Sequence, residues 1–217
     1  MMDGPLFQSL PSGPVHDGFT ALRRDLLAEG GPRISTMRNH RYAIWVYPPD
    51  QEFELRRAVA ALCEELRQQR WHTLDLSLQR LMLARLRALP DADRARIQSR
   101  EQRFAVDKGD PLRALDFLKE QVGPLLAGPD GVAGDVAKEL DAFVKADGLV
   151  QDRAAVFLSR VGSLYPFVRA SSLLKHIAGR THHLPVILLY PGTAQDRGLS
   201  FLGELTADRD YRPRLYP

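Results

Sequence analysis

The sequence predicts an α/β fold, with an open and mostly parallel sheet covered by helices on both faces. Segments of strand length alternate with amphipathic segments of helical length along most of the chain. Residues 184–192, LPVILLYPG, are almost purely apolar, which is typical of a central parallel strand. Polar and turn-forming residues follow three of the predicted strands, at the edge where α/β folds bind ligands.

The N-terminal half begins with a predicted flexible arm, residues 1–18, which holds three prolines and three glycines. Apolar residues spaced along one helical face predict a short helix over 19–29. RYAIWVY, residues 41–47, predicts the first strand because it is rich in aromatic and β-branched residues. A helix from Asp50 to about Gln69 and a second strand over 72–78 complete a β-α-β unit.

The middle of the chain, residues 79–150, shows no strand pattern and is interpreted as a helical insertion within the domain. Apolar spacing and helix-ending prolines and glycines divide this part of the chain into separate helices. The predicted helices are residues 78–89, 92–104, 111–126 and 135–147.

The α/β pattern resumes in the C-terminal part, so the whole chain, residues 1–217, is predicted to be a single domain. AAVFLSR, residues 154–160, predicts a third strand, and residues 164–177 predict a helix with Pro166 in its first turn. The fourth strand is the apolar segment 184–192. LSFLGEL, an edge strand, and DYRPRLYP, an extended segment, complete the prediction.

Composition narrows the class of protein. The 217 residues are 44% hydrophobic and 26% charged, with a net charge of +3, which is ordinary for a globular domain. No apolar run reaches the roughly 20 residues of a membrane helix, and no secretory signal is recognisable. The single cysteine, Cys63, excludes an internal disulfide framework and a cysteine-clustered zinc site. We therefore expect a cytoplasmic protein.

The basic residues are mostly arginine, and they are densest between Arg80 and Arg103, where seven arginines face three acidic residues. Such a segment can contact nucleic acid or an acidic partner, and it can equally be a solvated helix face. The candidate nucleic-acid-binding residues are Arg94, Arg96, Arg100 and Arg103.

The strand ends give no catalytic constellation. The turn after the first strand, YPPDQEFELR, has neither the glycines nor the lysine of a phosphate-binding loop, and Asp50 and Glu52 there would repel phosphate. Ser163 lacks the second glycine of a hydrolase elbow. His182 and His183 have no carboxylates nearby in the sequence. We therefore predict no catalytic residues, no metal and no cofactor, with a degenerate nucleotide-binding protein as an alternative.

Three segments resemble the BrxB family of bacteriophage exclusion (BREX) defence systems. They are YAIWVYPPDQEFELRRAV, VFLSRVGSLYPFVRASSLL and PVILLYPGTAQDRGLSFLGELTADRDYRPRLYP. The most specific feature is the motif G-x-x-Y-P-F-x-R from Gly162 to Arg169, followed by an apolar strand ending Tyr-Pro-Gly. The resemblance covers residues 41–78 and 154–217, about half of the chain.

The resemblance implies a non-catalytic subunit of a defence complex that also contains a large ATPase, a DNA methyltransferase and a phosphatase-like protein called PglZ. PglZ is the expected direct partner, while DNA is a possible ligand and a membrane is not. The resemblance also implies a fold like that of P-loop NTPases without the phosphate loop.

The turns of the chain supply the candidate binding residues. Tyr165, Arg169 and Pro191 are the candidate partner-binding residues. We expect Tyr165 and Arg169, one helical turn apart, to lie on one face of a helix. The predicted structural turns are placed at Pro48, Pro49, Gly162, Pro166 and Gly192, with Gly162 permitting a tight turn and Pro166 fixing the start of the helix.

Overall fold

A computed structural model describes residues 13–34, 41–146, 148–195, 198–201 and 214–216. The α-helices of this part of the chain are α1 Pro14–Leu26, α2 Glu52–Gln68, α3 Leu78–Arg87, α4 Asp91–Gln102, α5 Pro111–Leu126, α6 Val132–Val144 and α7 Ala170–Ile177. The strands are β1 Tyr42–Tyr47, β2 His72–Ser77, β3 Ala154–Ser159, β4 Val186–Gln195, β5 Gly198–Phe201 and β6 Arg214–Tyr216.

Five of these strands form a parallel sheet in the order β2-β3-β4-β1-β6, and β5 pairs with β4 in the antiparallel direction. The register places Trp45 of β1 opposite Leu189 of β4 and opposite Tyr216 of β6. The helices between the parallel strands make the crossover connections that such a sheet requires. The predicted α/β class and mostly parallel sheet are therefore confirmed.

Helices cover both faces of the sheet, because successive side chains of each strand point to opposite faces. On one face, Trp45 and Phe157 are fully buried together with the apolar sides of α1 and α2. On the other face, Ile44 and Leu158 are buried against α6, α7 and the start of α3. Each large side chain buried in this way stabilises the fold by about 1.5–3 kcal/mol.

The first helix begins earlier than predicted. It starts at Pro14 rather than residue 19, so residues 14–18 are helical and do not belong to an arm. Proline is favourable in the first turn of a helix, and the early start buries Val15 on the same stripe as Phe19, Leu22 and Leu26. Residues 1–12 of the predicted arm lie outside the described residues.

No described residue between 79 and 150 lies in a strand, as the sequence predicted. Helices α3 and α6 pack on the sheet, whereas α4 contacts mainly α5 and the π-helical turn Arg103–Asp107. Phe104 and Phe117 form a small core of their own between these helices. The helices α4 and α5 thus form a hairpin, and no residue of α4 is buried.

The predicted helix over 164–177 is wrong at its start, since α7 begins only at Ala170. The residue before a proline is disfavoured in the helical conformation, and Tyr165 has an extended backbone (φ −72°, ψ 137°) before a cis peptide bond to Pro166. Arg169 is also extended (ψ 142°). Pro166 therefore does not begin the helix, and Tyr165 and Arg169 do not share a helical face.

The two turns predicted at glycine residues, Gly162 and Gly192, also differ from the observed backbone. The left-handed residue after β3 is Arg160, with φ 63°, and Gly162 lies in the following 3₁₀ turn without a positive φ. Gly162 is thus not the residue that permits the tight turn. Gly192 lies inside β4, where the parallel pairing with β1 ends and the antiparallel pairing with β5 begins. The strand continues through it because β5 supplies a new partner.

Candidate functional site

A cleft of about 520 Å³ opens at the carboxyl edge of the sheet, between α2 and the start of α3. We call it the carboxyl-edge cleft. In parallel sheets, ligands bind outside the carboxyl ends of the strands, so this position makes it the candidate functional site. Its lining residues are Tyr47, Glu52, Leu55, Arg56, Val59, Ala60, Cys63, Arg67, Asp75, Ser77, Gln79, Arg80, Ser159, Arg160 and Leu189.

Glu52, in the first turn of α2, is the centre of a charged cluster in this cleft. Its carboxylate accepts hydrogen bonds from the Tyr47 hydroxyl and from Arg56 Nε, the latter at 3.0 Å. Arg160 Nη1 lies 3.6 Å from the same carboxylate. Burial raises the pKa of Tyr47 far above its usual range, and the neighbouring Glu52 raises it further. The Tyr47 hydroxyl therefore remains a hydrogen-bond donor.

The ends of β2 and β3 supply hydroxyl and carboxylate groups. Ser159 Oγ donates a hydrogen bond to Asp75 Oδ1 at 2.7 Å. Ser77 caps α3 by accepting a hydrogen bond from the Arg80 amide at 3.3 Å, which satisfies one of the free N–H groups of the first turn. Because the Ser77 hydroxyl uses its oxygen in this contact, its proton stays available to a ligand.

A second lobe of the cleft, of about 260 Å³, is lined by Arg160, Gly162, Ser163 and Pro191 together with Tyr47, Glu52 and Gln79. Glu52 and Arg160 line both lobes. Ser163 Oγ donates to the Arg160 carbonyl oxygen at 2.8 Å, which holds the turn after β3 in place. A serine engaged in this way is a structural residue of the turn.

Cys63 lies in the wall of the cleft but is 4% exposed. Burial raises the pKa of its thiol to about 11, while Arg67 acts in the opposite direction. The nucleophilic form of cysteine is the thiolate. Cys63 is therefore a packing residue of α2 at neutral pH.

The three candidate partner-binding residues do not form one surface. Tyr165 is 47% exposed, and Arg169 is exposed on the same segment after β3. Pro191 is buried at the end of β4, opposite Tyr47 of β1, and contacts the second lobe of the cleft. Tyr165 and Arg169 are thus surface residues, whereas Pro191 is buried beside Gly162 and Ser163 of the same segment.

The four candidate nucleic-acid-binding arginines lie on the α4–α5 hairpin, and three of them have partners within it. Arg94 pairs with Asp91 and also donates to the Arg87 carbonyl oxygen. Arg96 pairs with Asp93 at 3.6 Å and donates to Gln121 at 3.1 Å.

The remaining two arginines differ from each other. Arg100 lies over the rings of Phe104 and Phe117, 5.8 and 5.4 Å from their centroids. Arg103 makes no ion pair or ring contact among the described residues. Counted over residues 91–126, seven basic residues face seven acidic ones, so the acids of the hairpin offset the local excess seen between Arg80 and Arg103. The nucleic-acid interpretation stays a prediction.

The cleft residues come from distant parts of the sequence, and no local pattern predicts that they lie together. Glu52 and Arg56 are spaced i, i+4, which favours an ion pair on a helix. This one contact of the cleft is therefore predictable from the sequence. The approach of Arg160 and Arg80 to that pair depends on the strand order. β3 lies two positions from β1 in the sheet and β2 lies three positions from it, although β2 and β3 are far apart in the sequence.

No group of three or more potential metal ligands lies together among the described residues. His182 Nε2 is 2.6 Å from Asp141 Oδ1, and this contact joins the loop before β4 to α6. No helix in the described part of the chain has the length and apolar character needed to cross a membrane.

Comparisons with known proteins support the family resemblance. The sequence model of a family described as "BREX protein BrxB" matches residues 74–215, more than half of the chain. This range includes the helical region that the resemblance by motif left unmatched, and it begins after β1 and α2. A curated protein of Bacillus cereus (strain H3081.97), also described as "BREX protein BrxB", is 32% identical over 63 residues.

That alignment covers 29% of this chain and spans 33% of the length of the Bacillus cereus protein. No solved structure matches this chain. The expected likeness to P-loop NTPase folds is thus not supported by any matching solved structure. The fold class is assigned from the sheet topology described above.

Proposed function

The chain belongs to the BrxB family, and from this membership we propose that it is a non-catalytic interaction subunit of a BREX phage-defence assembly, with the PglZ-like component as its direct partner. The methyltransferase and the large ATPase of the same system are the further components it would meet. We place the assembly in the cytoplasm, where the DNA of an infecting phage is replicated and modified.

The observation that carries the proposal is the segment after β3, residues 160–169, which contains the family-like motif and exposes two of its side chains. Tyr165 is 47% exposed and Arg169 is exposed. Tyrosine and arginine are enriched among the residues that dominate binding energy at protein interfaces. An exposed pair of these types, inside the region matched by the family, supports a docking role.

The segment is also held firmly enough to present these side chains. Leu164 and Val168 are buried in the core beneath it. The amides of Phe167 and Val168 both donate to the Leu164 carbonyl oxygen, at 2.8 and 2.9 Å. A segment fixed before binding loses less conformational entropy when a partner docks.

Several side chains that could act as nucleophiles support a non-catalytic role. The Ser163 hydroxyl donates to a backbone carbonyl, and the Ser159 hydroxyl donates to Asp75. The pKa of the Cys63 thiol is raised to about 11 by burial. None of these three has a histidine among its hydrogen-bond partners in the described part of the chain. A nucleophile without an adjacent general base is poorly activated.

The likeness to a P-loop NTPase fold that has lost its phosphate loop belongs to the same proposal. In support, β1 is a buried strand of a parallel sheet, and the turn that follows it begins with Pro48 and Pro49. Prolines have no N–H group, so this turn lacks the converging amides with which a phosphate loop binds.

The test is co-purification of this chain with the PglZ-like protein of the same defence system, with a tag on one component only. Wild type is compared with Tyr165→Ala, Arg169→Glu. The matched control is Phe53→Ala, Arg57→Glu, because Phe53 is 73% exposed and Arg57 is exposed one helical turn away on α2. Circular dichroism and the thermal midpoint verify that each variant is folded.

We expect wild type and the control to retain the partner, and the Tyr165, Arg169 variant to lose at least about tenfold in affinity, as removal of a central interface pair does. Equal retention of all three proteins would contradict the location of the docking segment. Absence of any complex with wild type would contradict the proposed partner itself.

A further inference from the structure

The carboxyl-edge cleft carries an excess of positive charge. Four arginines and two acidic residues line it, which leaves a formal excess of two positive charges. The arginines are Arg56, Arg67, Arg80 and Arg160, and the acidic residues are Glu52 and Asp75. Since these residues come from α2, α3, β2 and the end of β3, the charge is concentrated by the fold and not by one stretch of sequence.

The two acidic residues do not neutralise the positive charge of the four arginines in the cleft. The Glu52 carboxylate is bound by Tyr47 and Arg56. The Arg80 side chain is exposed, and its guanidinium makes no ion pair among the described residues. Arg56 and Arg67 each pair with a glutamate of their own helix. Arg80 has no such partner in the described part of the chain, and Arg160, although 3.6 Å from Glu52, keeps further N–H groups of the five on its guanidinium for an anion.

Arg160 occupies a backbone conformation that favours glycine. Its φ is 63° and its ψ is 33°, a left-handed conformation that costs a non-glycine residue free energy relative to glycine. Residues in sparsely populated backbone conformations cluster at active sites and ligand-binding sites. Arg160 lines both lobes of the cleft, which supports a binding role for this residue.

We propose that the carboxyl-edge cleft binds the phosphate group of a small phosphorylated molecule, with Arg80 and Arg160 as the principal donors. A phosphate monoester carries a charge of about −1.5 to −2 at neutral pH, which matches the formal excess of the cleft. Arginine binds phosphate oxygens through two parallel N–H groups. The Ser77 hydroxyl is a further donor beside Arg80.

The remainder of the cleft has room for more than the phosphate group. Its volume of about 520 Å³ lies within the range of small-molecule sites, roughly 300–1,000 Å³. Val59 and Ala60 of α2 give it an apolar wall, and Asp75 offers a carboxylate that accepts hydrogen bonds from hydroxyl groups. The ligand class is therefore a phosphorylated compound that also carries hydroxyls. This inference is independent of the docking segment at Tyr165.

The experiment is isothermal titration of the full chain with inorganic phosphate, with adenosine 5′-monophosphate and with adenosine, at low ionic strength. Two variants test the donors: Arg80→Ala, at an exposed position, and Arg160→Gly, which removes the guanidinium and relaxes the left-handed residue. The matched control is Arg87→Ala, because Arg87 is exposed on the same helix and does not line the cleft.

We expect saturable binding of the monophosphate, competition by inorganic phosphate, and no binding of adenosine. Each of the two test variants is expected to weaken binding about tenfold, the effect of losing one charge-assisted contact, and the control less than twofold. If Arg160→Gly fails to fold, the Arg80→Ala comparison decides alone. Equal affinity for adenosine and its monophosphate would overturn the proposal. So would the absence of saturation by either phosphate compound at about 10 mM, a concentration at which even weak specific sites fill.

Discussion

The Tyr216 hydroxyl, on the C-terminal strand β6, donates a hydrogen bond to the Asp25 carboxylate of the N-terminal helix α1 at 2.9 Å. Arg214 forms an ion pair with the same carboxylate. Asp25 is 6% exposed and Tyr216 is 2% exposed, so this contact is made away from water. It joins α1 directly to β6, the edge strand that pairs with β1.

Replacing Asp25 by asparagine is expected to destabilise the protein by about 2 kcal/mol, because the half-buried Arg214 then faces a neutral amide and the Tyr216 hydroxyl loses a charged acceptor. Tyr216→Phe removes one hydrogen bond and is expected to cost about 1 kcal/mol. Urea denaturation measures both. The control is Asp17→Asn, an exposed position on the same helix, and a loss as large at Asp17 as at Asp25 would show that burial is not the cause.

Cys63 is expected to be protected from alkylation in the native state. At pH 8, a thiol with a pKa of about 11 holds about two orders of magnitude less thiolate than an ordinary cysteine, and the 4% exposed side chain is also shielded. Iodoacetamide labelling followed by mass spectrometry should therefore be slow until urea is added. Native and unfolded protein reacting at similar rates would show that α2 opens readily above the cleft.

The contact between Asp141 and His182 gives a prediction for pH. Hydrogen bonding to His182 lowers the pKa of the Asp141 carboxyl, so its native pKa lies below its unfolded value. Its contribution to stability is present above the unfolded value, near pH 4, and is lost as the pH falls through the native one. Wild type should thus be more stable than Asp141→Asn at about pH 6 and equally stable at about pH 2.

Chemical denaturation at several pH values measures this difference. Asp107→Asn is a suitable control, because Asp107 is exposed and makes no ion pair among the described residues. A stability difference for Asp141→Asn that persists unchanged in acid would mean that the carboxylate charge has no part in it.

The sheet was predictable because its strands have strong local signals. Residues 41–47 and 184–192 are apolar enough to be buried on both faces, and the structure places β1 and β4 side by side near the middle of the sheet. The local pattern around Pro166 was misleading, because proline is accepted both in the first turn of a helix and in an extended turn. The extended backbone at Tyr165 and Arg169 decides between them.

The cleft was not predictable for a different reason. Arg80 and Arg160 are 80 residues apart in sequence and meet at the cleft only because β2 pairs with β3. The turn after β1 was expected to repel phosphate because of Glu52, but the structure gives that carboxylate a tyrosine and two arginines as neighbours. The sequence at one strand end shows which charged residues are present there. The order of the strands determines which of those charges are paired with residues from other strand ends and which can bind a ligand.

Two arginines of the α4–α5 hairpin, Arg100 and Arg103, distinguish a structural role from a role in nucleic-acid binding. Arg100→Ala removes a guanidinium from above Phe104 and Phe117 and is expected to destabilise the hairpin by about 0.5–1 kcal/mol. Hydrogen exchange of the α4 amides should accelerate accordingly. Arg103→Ala, immediately after α4 and without such a ring contact, should leave the exchange of the α4 amides unchanged.

The same pair of variants bears on nucleic acid. Since acids offset the basic residues of the hairpin, we expect wild type to bind duplex DNA weakly and with a shallow dependence on salt, because few phosphates are neutralised. Fluorescence anisotropy at several salt concentrations measures this dependence. Tight binding that falls steeply with salt, and that Arg103→Ala weakens while the hairpin stays intact, would favour the nucleic-acid interpretation instead.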